Sequence, residues 1–372
     1  MALTDFGALA PMQKKVWEAE SWKAGRDNSF FFASGFMGSG TADSQKPIHY
    51  VKDLTKTERG DQCVMNLIPD LVGDGVAGDN LLKGQEEQLT ASDQTIRLDQ
   101  LRNAVRSRGA MSEQRTVIRF RQEARDTLGN WLGQKLDELG FLTASGIAYT
   151  LNLDGTNRAV GSQFPSLAFA ADVTAPSTNR KFFPGTNTST ATLTAADKMT
   201  WNLLISVIAF AKRRRIKPVR YNGKAKYPIV MSTEQGRDLK SDPNYQTNVG
   251  RAADRGTKNP LFNGYFAEID DAILFDHPKV FNTLAAANGS KYGAAGAVDG
   301  AQAMLVGAQA LGFARIGQPN WTEDADDDYG NRQNVGYGTI VGYKKPVFQS
   351  IYDGNANEDF STVAIFTAAS KT

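Results

Sequence analysis

The side chains that most often carry chemistry are scarce here. The chain has two histidines, His49 and His277, and one cysteine, Cys63. A histidine triad or histidine metal site would have to use one of the two, and no HExxH, GxSxG or CxxC spacing occurs. Cys63 lies in an alternating apolar run, which reads as a buried small hydrophobe rather than a nucleophile. His277 stands in FDHPKV at a strand end, where a surface or locally bonded histidine is expected. The glycine-rich GFMGSGTADS at 35–44 invites a phosphate-cradle reading, but Thr41 follows Gly40 with no lysine in place, so a turn is expected. Asp324, Asp326 and Asp328 have the 1-3-5 spacing of a calcium loop. Tyr329 then stands where glycine is needed and Val335 where the bidentate glutamate is needed, which leaves a solvated acidic loop or a looser cation site. No catalytic residue, cofactor or metal ligand set is expected from spacing.

One charged stretch remains. Lys212, Arg213, Arg214, Arg215, Lys217, Arg220, Lys224 and Lys226 contain no acid among them. Cations at a helix C-terminus are favoured by the helix dipole, so a solvated face accounts for them. Acids on an adjacent subunit, or phosphates, are the alternatives.

At 372 residues the chain can bury a sizeable core, and 41% hydrophobic with 22% charged residues is ordinary for a folded protein. The balance of 42 basic and 40 acidic residues, +2 net, gives no global argument for nucleic-acid binding. A single cysteine excludes an intrachain disulfide and fits a cytoplasm-like redox environment. MALTDFGALA lacks the charged-then-apolar order of a signal peptide, and the longest apolar run, 203–211, is too short to span a bilayer; a soluble protein with no visible export route is expected.

Residues 112–140 read as the longest helix, capped by Ser112 and stopped by Gly140. Val117, Phe120, Ala124, Leu128, Trp131, Leu132, Leu136 and Leu139 share one face, while Arg115, Arg119, Gln122, Asp126, Asn130 and Asp137 share the other. Arg121 and Lys135 interrupt the apolar arc, either snorkelling or meeting acids of a neighbour. At 1.5 Å per residue this rod is roughly 40 Å long.

Before it, residues 62–72 read as a strand, with Val64, Asn66 and Ile68 on one face and Cys63, Met65 and Leu67 on the other. Residues 94–106 read as its partner, with a bulge near Gln100. The loop between them is glycine-rich and acidic, and Gly73, Gly75 and Gly78 are expected to make its tip mobile. Residues 1–50 look like an extended arm. A second helix is expected after a Thr194 cap with Asp197 beside it, ending before Pro218. From Tyr227 short strands and helices alternate, including YPIVMS, a helix capped at Ser232 or Thr233 with Pro243 beyond its end, a strand pair at 266–276, and closing strands in GYGTIVGYKKPVFQS and FSTVAIFTAA. The stretch 301–317 mixes strand and helix signals. The fold class is α+β, with one discontinuous domain, one inserted domain and a C-terminus returning towards the long helix.

This order of parts resembles the tailed-phage major capsid proteins of the Hong Kong 97 fold, most closely the major coat protein family of the N-four-like phages. The resemblance is carried by TKTERGDQCVMNLIPDLVGDGVAGDNLLKGQEEQLTASDQTIRLDQLRNAVRSRG at 55–109, by the helix after it, and by DYGNRQNVGYGTIVGYKKPVF at 328–348. It implies an N-arm at 1–50, an E-loop hairpin at 51–111, a P domain at 112–218 with a spine helix at 112–140, an A domain at 219–335, and return strands at 336–372. It also implies a structural, non-enzymatic role: hexamers and pentamers of an icosahedral head around double-stranded DNA, assembled in the bacterial cytoplasm, with scaffold, portal and decoration proteins as partners. An encapsulin-like compartment of the same fold, or an enzyme without a recognisable motif, are the alternatives. The inter-subunit contact candidates are Gly73, Gly75, Gly78, Arg121, Lys135, Arg213, Arg214 and Arg215.

Overall fold

The computed structural model describes residues 29–38, 44–51, 60–68, 71, 73–87, 92–115, 120–221, 223–252, 268–327, 329, 331–354, 356–369 and 371. In chain order the helices are α1 (Phe30–Ala33), α2 (Ala110–Gln114), α3 (Phe120–Ser145), α4 (Trp201–Arg213), α5 (Thr233–Ser241) and α6 (Pro243–Ala252). The strands are β1 (Ile48–Val51), β2 (Gln62–Leu67), β3 (Ser92–Arg97), β4 (Asp99–Arg106), β5 (Lys181–Phe182), β6 (Val219–Tyr221), β7 (Lys224–Met231) and β8 (Glu268–Ile269), then β9 (Ala272–Asp276), β10 (Gly300–Val306), β11 (Leu311–Asp327), β12 (Arg332–Lys344), β13 (Val347–Ser350), β14 (Ala356–Asp359) and β15 (Thr362–Ala368).

The long helix exists, with different ends. Residues 116–119 lie outside the described set, and α3 runs on through Gly140 to Ser145. The true stop is Gly146, at φ +69°, where Ile147 N–H reaches Leu142 O and Gly146 N–H reaches Thr143 O. This pair of bonds is a Schellman terminus, and it needs a left-handed residue. Gly140 serves close packing instead. A Cβ there would lie 2.7 Å from Phe31 Cε2, so glycine lets the α1 segment lie against the rod. The apolar stripe is buried at Ala124, Leu128, Leu132, Leu136 and Leu139, and every residue of the helix from Leu139 onwards is buried. Asp137, expected on the polar face, is buried as well.

α3 joins two sheets. Its stripe packs with Leu101, Val335, Tyr337, Val341 and Tyr343 of a four-stranded sheet ordered β1-β11-β12-β4. Its C-terminal end reaches the second sheet, where Gln302 of β10 donates to Ser145 O at 2.8 Å. That sheet is ordered β5-β15-β10-β7-β9-β8, with β6 paired to β7, and its core with α4 includes Leu204, Val207, Ile229, Leu305 and Ile365. The division expected between 335 and 336 therefore falls inside β12. β11 pairs in the sheet under the long helix, while the C-terminal β15 pairs with β10 in the other. Pairing across more than 200 residues leaves no mark on local sequence texture.

Other expectations shift for identifiable reasons. β2 and β3 form the expected hairpin, from Gln62↔Arg97 to Leu67↔Ser92. The phase slip near Gln100 is not a bulge; after Leu98 the chain leaves the hairpin and β4 pairs with β12. α4 starts at Trp201 under a Thr200 cap, and Thr194 with Asp197 closes only a local turn. Ser232 is the cap of α5 in a full capping box, whereas Pro243 opens α6, a position where its missing N–H is harmless. The 266–276 pair is β8 and β9, and 301–317 is strand on both sides of a turn.

Candidate functional site

The hairpin β2–β3 is fastened at its base and bare towards its end. Cys63 and Met65 are buried against Ile96, Leu98 and Ala314, as the alternation requires. Gly342 of β12 gives the crossing its clearance, since a Cβ there would lie 2.1 Å from Arg97 O. Asp172 secures the same point: Arg97 N–H donates to it at 3.4 Å, and Lys344 Nζ lies 3.3 Å from it. Beyond this base, Val64, Ile68, Leu71, Leu81 and Leu82 are exposed, Leu81 at 75%. Described residues 73–87 contain no helix or strand. Gly75 and Gly78 adopt φ +70° and +66° with open space around them, and Gly73 N–H donates to Glu87 Oε2 at 2.8 Å.

The two cations in the apolar arc of α3 are occupied within their own chain. Arg121 Nε donates to Gln333 at 3.1 Å and its guanidinium lies 3.7 Å from Glu323. Lys135 pairs with Glu138 at 2.7 Å beside the Phe164 ring. The bonds from Lys135 and Arg158 hold the Glu138 carboxyl below its ordinary value, against the burial that acts to raise it. Neither Arg121 nor Lys135 is thus shown to meet a neighbour. Glu323 is not part of a solvated loop: it sits in β11, which runs to Asp327 and pairs with β12. Asp328 lies outside the described residues, and among the described ones no cluster of three His, Cys, Asp or Glu side chains is placed to hold a metal ion.

The three consecutive arginines at the end of α4 divide. Arg214 turns inward to Asp353, while Arg213 and Arg215 stay at the surface. Arg215 takes φ +52° as the left-handed residue of a second Schellman terminus, with Ile216 N–H on Ala211 O. Its guanidinium lies 4.3 Å from the centre of the Tyr352 ring and donates to the Tyr352 hydroxyl at 3.0 Å.

Two buried arrangements escaped the sequence. Asp353, its side chain fully buried, accepts from Arg180 at 3.0 Å and Ser350 at 2.9 Å as well as from Arg214. Beside it Lys345 pairs with Asp359 at 2.9 Å. Burial pushes the Lys345 ammonium down and the Asp359 carboxyl up, and each is opposed by the other's charge. The second arrangement is at Asp137, which accepts from Ser29 Oγ at 2.5 Å and Phe30 N–H at 2.8 Å, with Lys279 Nζ at 3.6 Å. Burial raises its carboxyl, and these donors oppose the rise. Above it Phe30, Phe141 and His277 stack, with ring centres 4.5 to 5.6 Å apart.

These sites are fastenings and uncovered surfaces, and comparisons with known proteins agree with that character. A family model described as "Phage capsid protein" matches residues 9–371. The major capsid protein of Pseudomonas phage KPP25 is 40% identical over 374 residues, covering 98% of each chain. Among solved structures, the capsid of Ralstonia phage GP4 superposes with TM-score 0.74 at 28% identity, covering 92% of this chain and 91% of that one. The Cyanophage Pam1 capsid gives 0.70 at 19%, covering 100% and 97%, a likeness of fold alone. The mixed helix-and-sheet architecture is that of the Hong Kong 97-like capsids. The chain belongs to the phage capsid protein family.

Proposed function

We propose that this chain is the major structural subunit of a phage head, self-assembling as hexamers and pentamers of an icosahedral shell around double-stranded DNA. The observation that carries this reading is the end-to-end identity with the KPP25 major capsid protein. The hairpin supports it physically: an arm that exposes five large apolar side chains needs a partner surface, and closed symmetric assembly supplies one. In this reading β2, β3 and the 73–87 segment are the E-loop, and residues 29–38 belong to the N-arm. α3 with the four-stranded sheet is the P domain, and α4 with the larger sheet is the A domain. The tip glycines Gly73, Gly75 and Gly78 and the surface arginines Arg213 and Arg215 serve contacts between copies. The role is structural rather than enzymatic, without cofactor. Assembly takes place in the bacterial cytoplasm with scaffold and portal proteins, and decoration proteins bind the finished shell. Among the described residues no helix is long and apolar enough to cross a membrane.

Electron microscopy of the purified full chain, and of the particles that contain it, tests this reading. Closed shells with packaged DNA are expected. A protein that stays monomeric at high concentration under every assembly condition would sink it, and shells filled with a cargo enzyme instead of DNA would shift it to an encapsulin-like compartment.

A further inference from the structure

We propose that residues 29–35 form an acid-released strap within the chain: a proton on His277 loosens it from the long helix, while a proton on Asp137 tightens it.

The strap has one fixed end. Phe36 O accepts from Ile48 N–H at 3.0 Å and Gly38 N–H donates to Ile48 O at 2.9 Å, which pins residues 36–38 beside β1. Gly35 takes φ +72° with open space around it, so the chain turns there. From that bend Phe30 and Phe31 reach back to the rings of Phe141 and His277. Ser29 to Gly35 contain no titratable side chain. Any pH dependence of their docking comes from the surface that receives them.

That surface places two protonation sites on one lysine. Lys279 N–H donates to His277 Nδ1 at 3.2 Å, so this nitrogen carries a lone pair and the neutral ring is the form that fits. The Lys279 ammonium lies 3.6 Å from Asp137 and donates to Gln134 O at 3.1 Å. The neighbouring charges are engaged elsewhere. Glu138 of α3 is held by Lys135 and Arg158, and Asp276 of β9 lies 4.0 Å from Lys240 of α5. Burial raises the Tyr149 and Tyr343 hydroxyls, which stay neutral.

A proton on His277 Nδ1 turns the acceptor into a donor facing the Lys279 N–H. It also sets a second cation near the Lys279 ammonium, against the Phe30 ring. Lifting Phe30 returns the imidazole to water, where 6.5 applies in place of about 4. The open strap therefore holds this proton more tightly, and opening increases as pH falls from 6.5 to about 4. Asp137 acts in the opposite sense. Burial raises its carboxyl in the closed form, so the closed strap holds that proton more tightly and acid opposes opening. In the neutral acid one oxygen still accepts the Phe30 N–H, and the other donates to Ser29 Oγ.

The experiment is hydrogen exchange of the full, unassembled chain between pH 7 and 3.5, corrected for the intrinsic pH dependence of exchange. The probes are the bonded amides of Phe30, Ala33 and Ser34, with β10 and β15 as references. Opening of the strap is expected to increase with acid while both strands stay protected. In Asp137→Asn, which lacks the opposing group, the increase reaches up to about 300-fold. In His277→Phe, which keeps a ring against Phe30 and Phe141, the sign is expected to reverse, so that the strap tightens in acid. Opening that ignores pH, an increase that survives in His277→Phe, or an increase shared equally by β10 and β15 overturns the proposal. A second measurement needs neither variant: in Phe30→Ala the His277 pKa, read by nuclear magnetic resonance, is expected to move from about 4 towards 6.5. An unmoved value overturns the coupling.

Discussion

The backbone N–H of Phe30 donates to the Asp137 carboxylate at 2.8 Å, across 107 residues of sequence. A buried acid of the long helix thus caps the first turn of α1, and Ser29 Oγ completes the cradle. Asp137→Ala leaves the buried Ser29 hydroxyl without an acceptor, at a cost of about 1–3 kcal/mol, and the partly buried Phe30 N–H at a smaller one. The expected outcome is faster hydrogen exchange and proteolysis at residues 29–38, with the β-sheet cores protected as before. Unchanged protection would show that the aromatic cluster alone holds the segment.

Gly140 gives a second measure of the same docking. Gly→Ala in a helix interior ordinarily stabilises by about 0.5–1 kcal/mol. Here the added methyl meets the buried Phe31 ring at 2.7 Å, and overpacking of this kind costs about 1–3 kcal/mol. Chemical denaturation of Gly140→Ala is expected to show net destabilisation, and Gly140→Val more.

How much of this was legible beforehand follows the range of the forces involved. The alternation that buries Cys63 and Met65 and exposes Val64 is a property of six adjacent residues, and the capping box at Ser232 is a property of four; both could be read directly. The sequence alone puts the end of α3 at Gly140 because Gly140 and Gly146 look alike there. Only the Phe31 ring against one and the positive φ of the other separate them. Arg121 and Lys135 stand out in the sequence as cations in an apolar arc, but their partners Glu323 and Glu138 do not, since one stands 202 positions away and the other is one acid among many. The fastening of Arg180 to Asp353 spans 173 positions and left no trace in the sequence.

The side chains of Arg180 and Asp353 are both buried, and Asp353 is the carboxylate shared by Arg180 and Arg214, so removing the acid leaves both cations without it. Asp353→Ala is expected to destabilise by about 3–5 kcal/mol, visible as a lowered denaturation midpoint. Arg180→Met with Asp353→Leu, which removes both charges, is expected to cost markedly less, although Arg214 then loses its partner as well.

His277 should make stability fall with acid. Burial, with Lys279 adding to it, lowers its pKa from 6.5 to about 4. Above 6.5 the ring is neutral in both folded and unfolded chains and contributes nothing to pH dependence. Between 6.5 and about 4 the unfolded chain binds the proton more readily, so stability declines as pH falls through that window. The slope of denaturation midpoint against pH is expected to flatten in His277→Phe, which keeps the stack on Phe141.

The tip glycines separate folding from assembly. Gly75 and Gly78 have positive φ and nothing within 4 Å, so valine there strains only the backbone of an exposed segment. Gly73→Val, Gly75→Val and Gly78→Val together are expected to leave the thermal midpoint of the unassembled chain nearly unchanged and to lower shell yield severalfold. Equal loss of both would place the segment in the core.

The crossing at Gly342 has a mechanical consequence. Arg97 O lies over the bare Cα of Gly342, while Asp172 grips the Arg97 N–H and Lys344, so the strand pair is clamped at its root. A beam held in this way pivots only beyond the clamp. In the shell proposed above, such a pivot lets copies in rings of five and copies in rings of six differ in the angle of the outer hairpin, while both sheets and the helix between them keep a single shape.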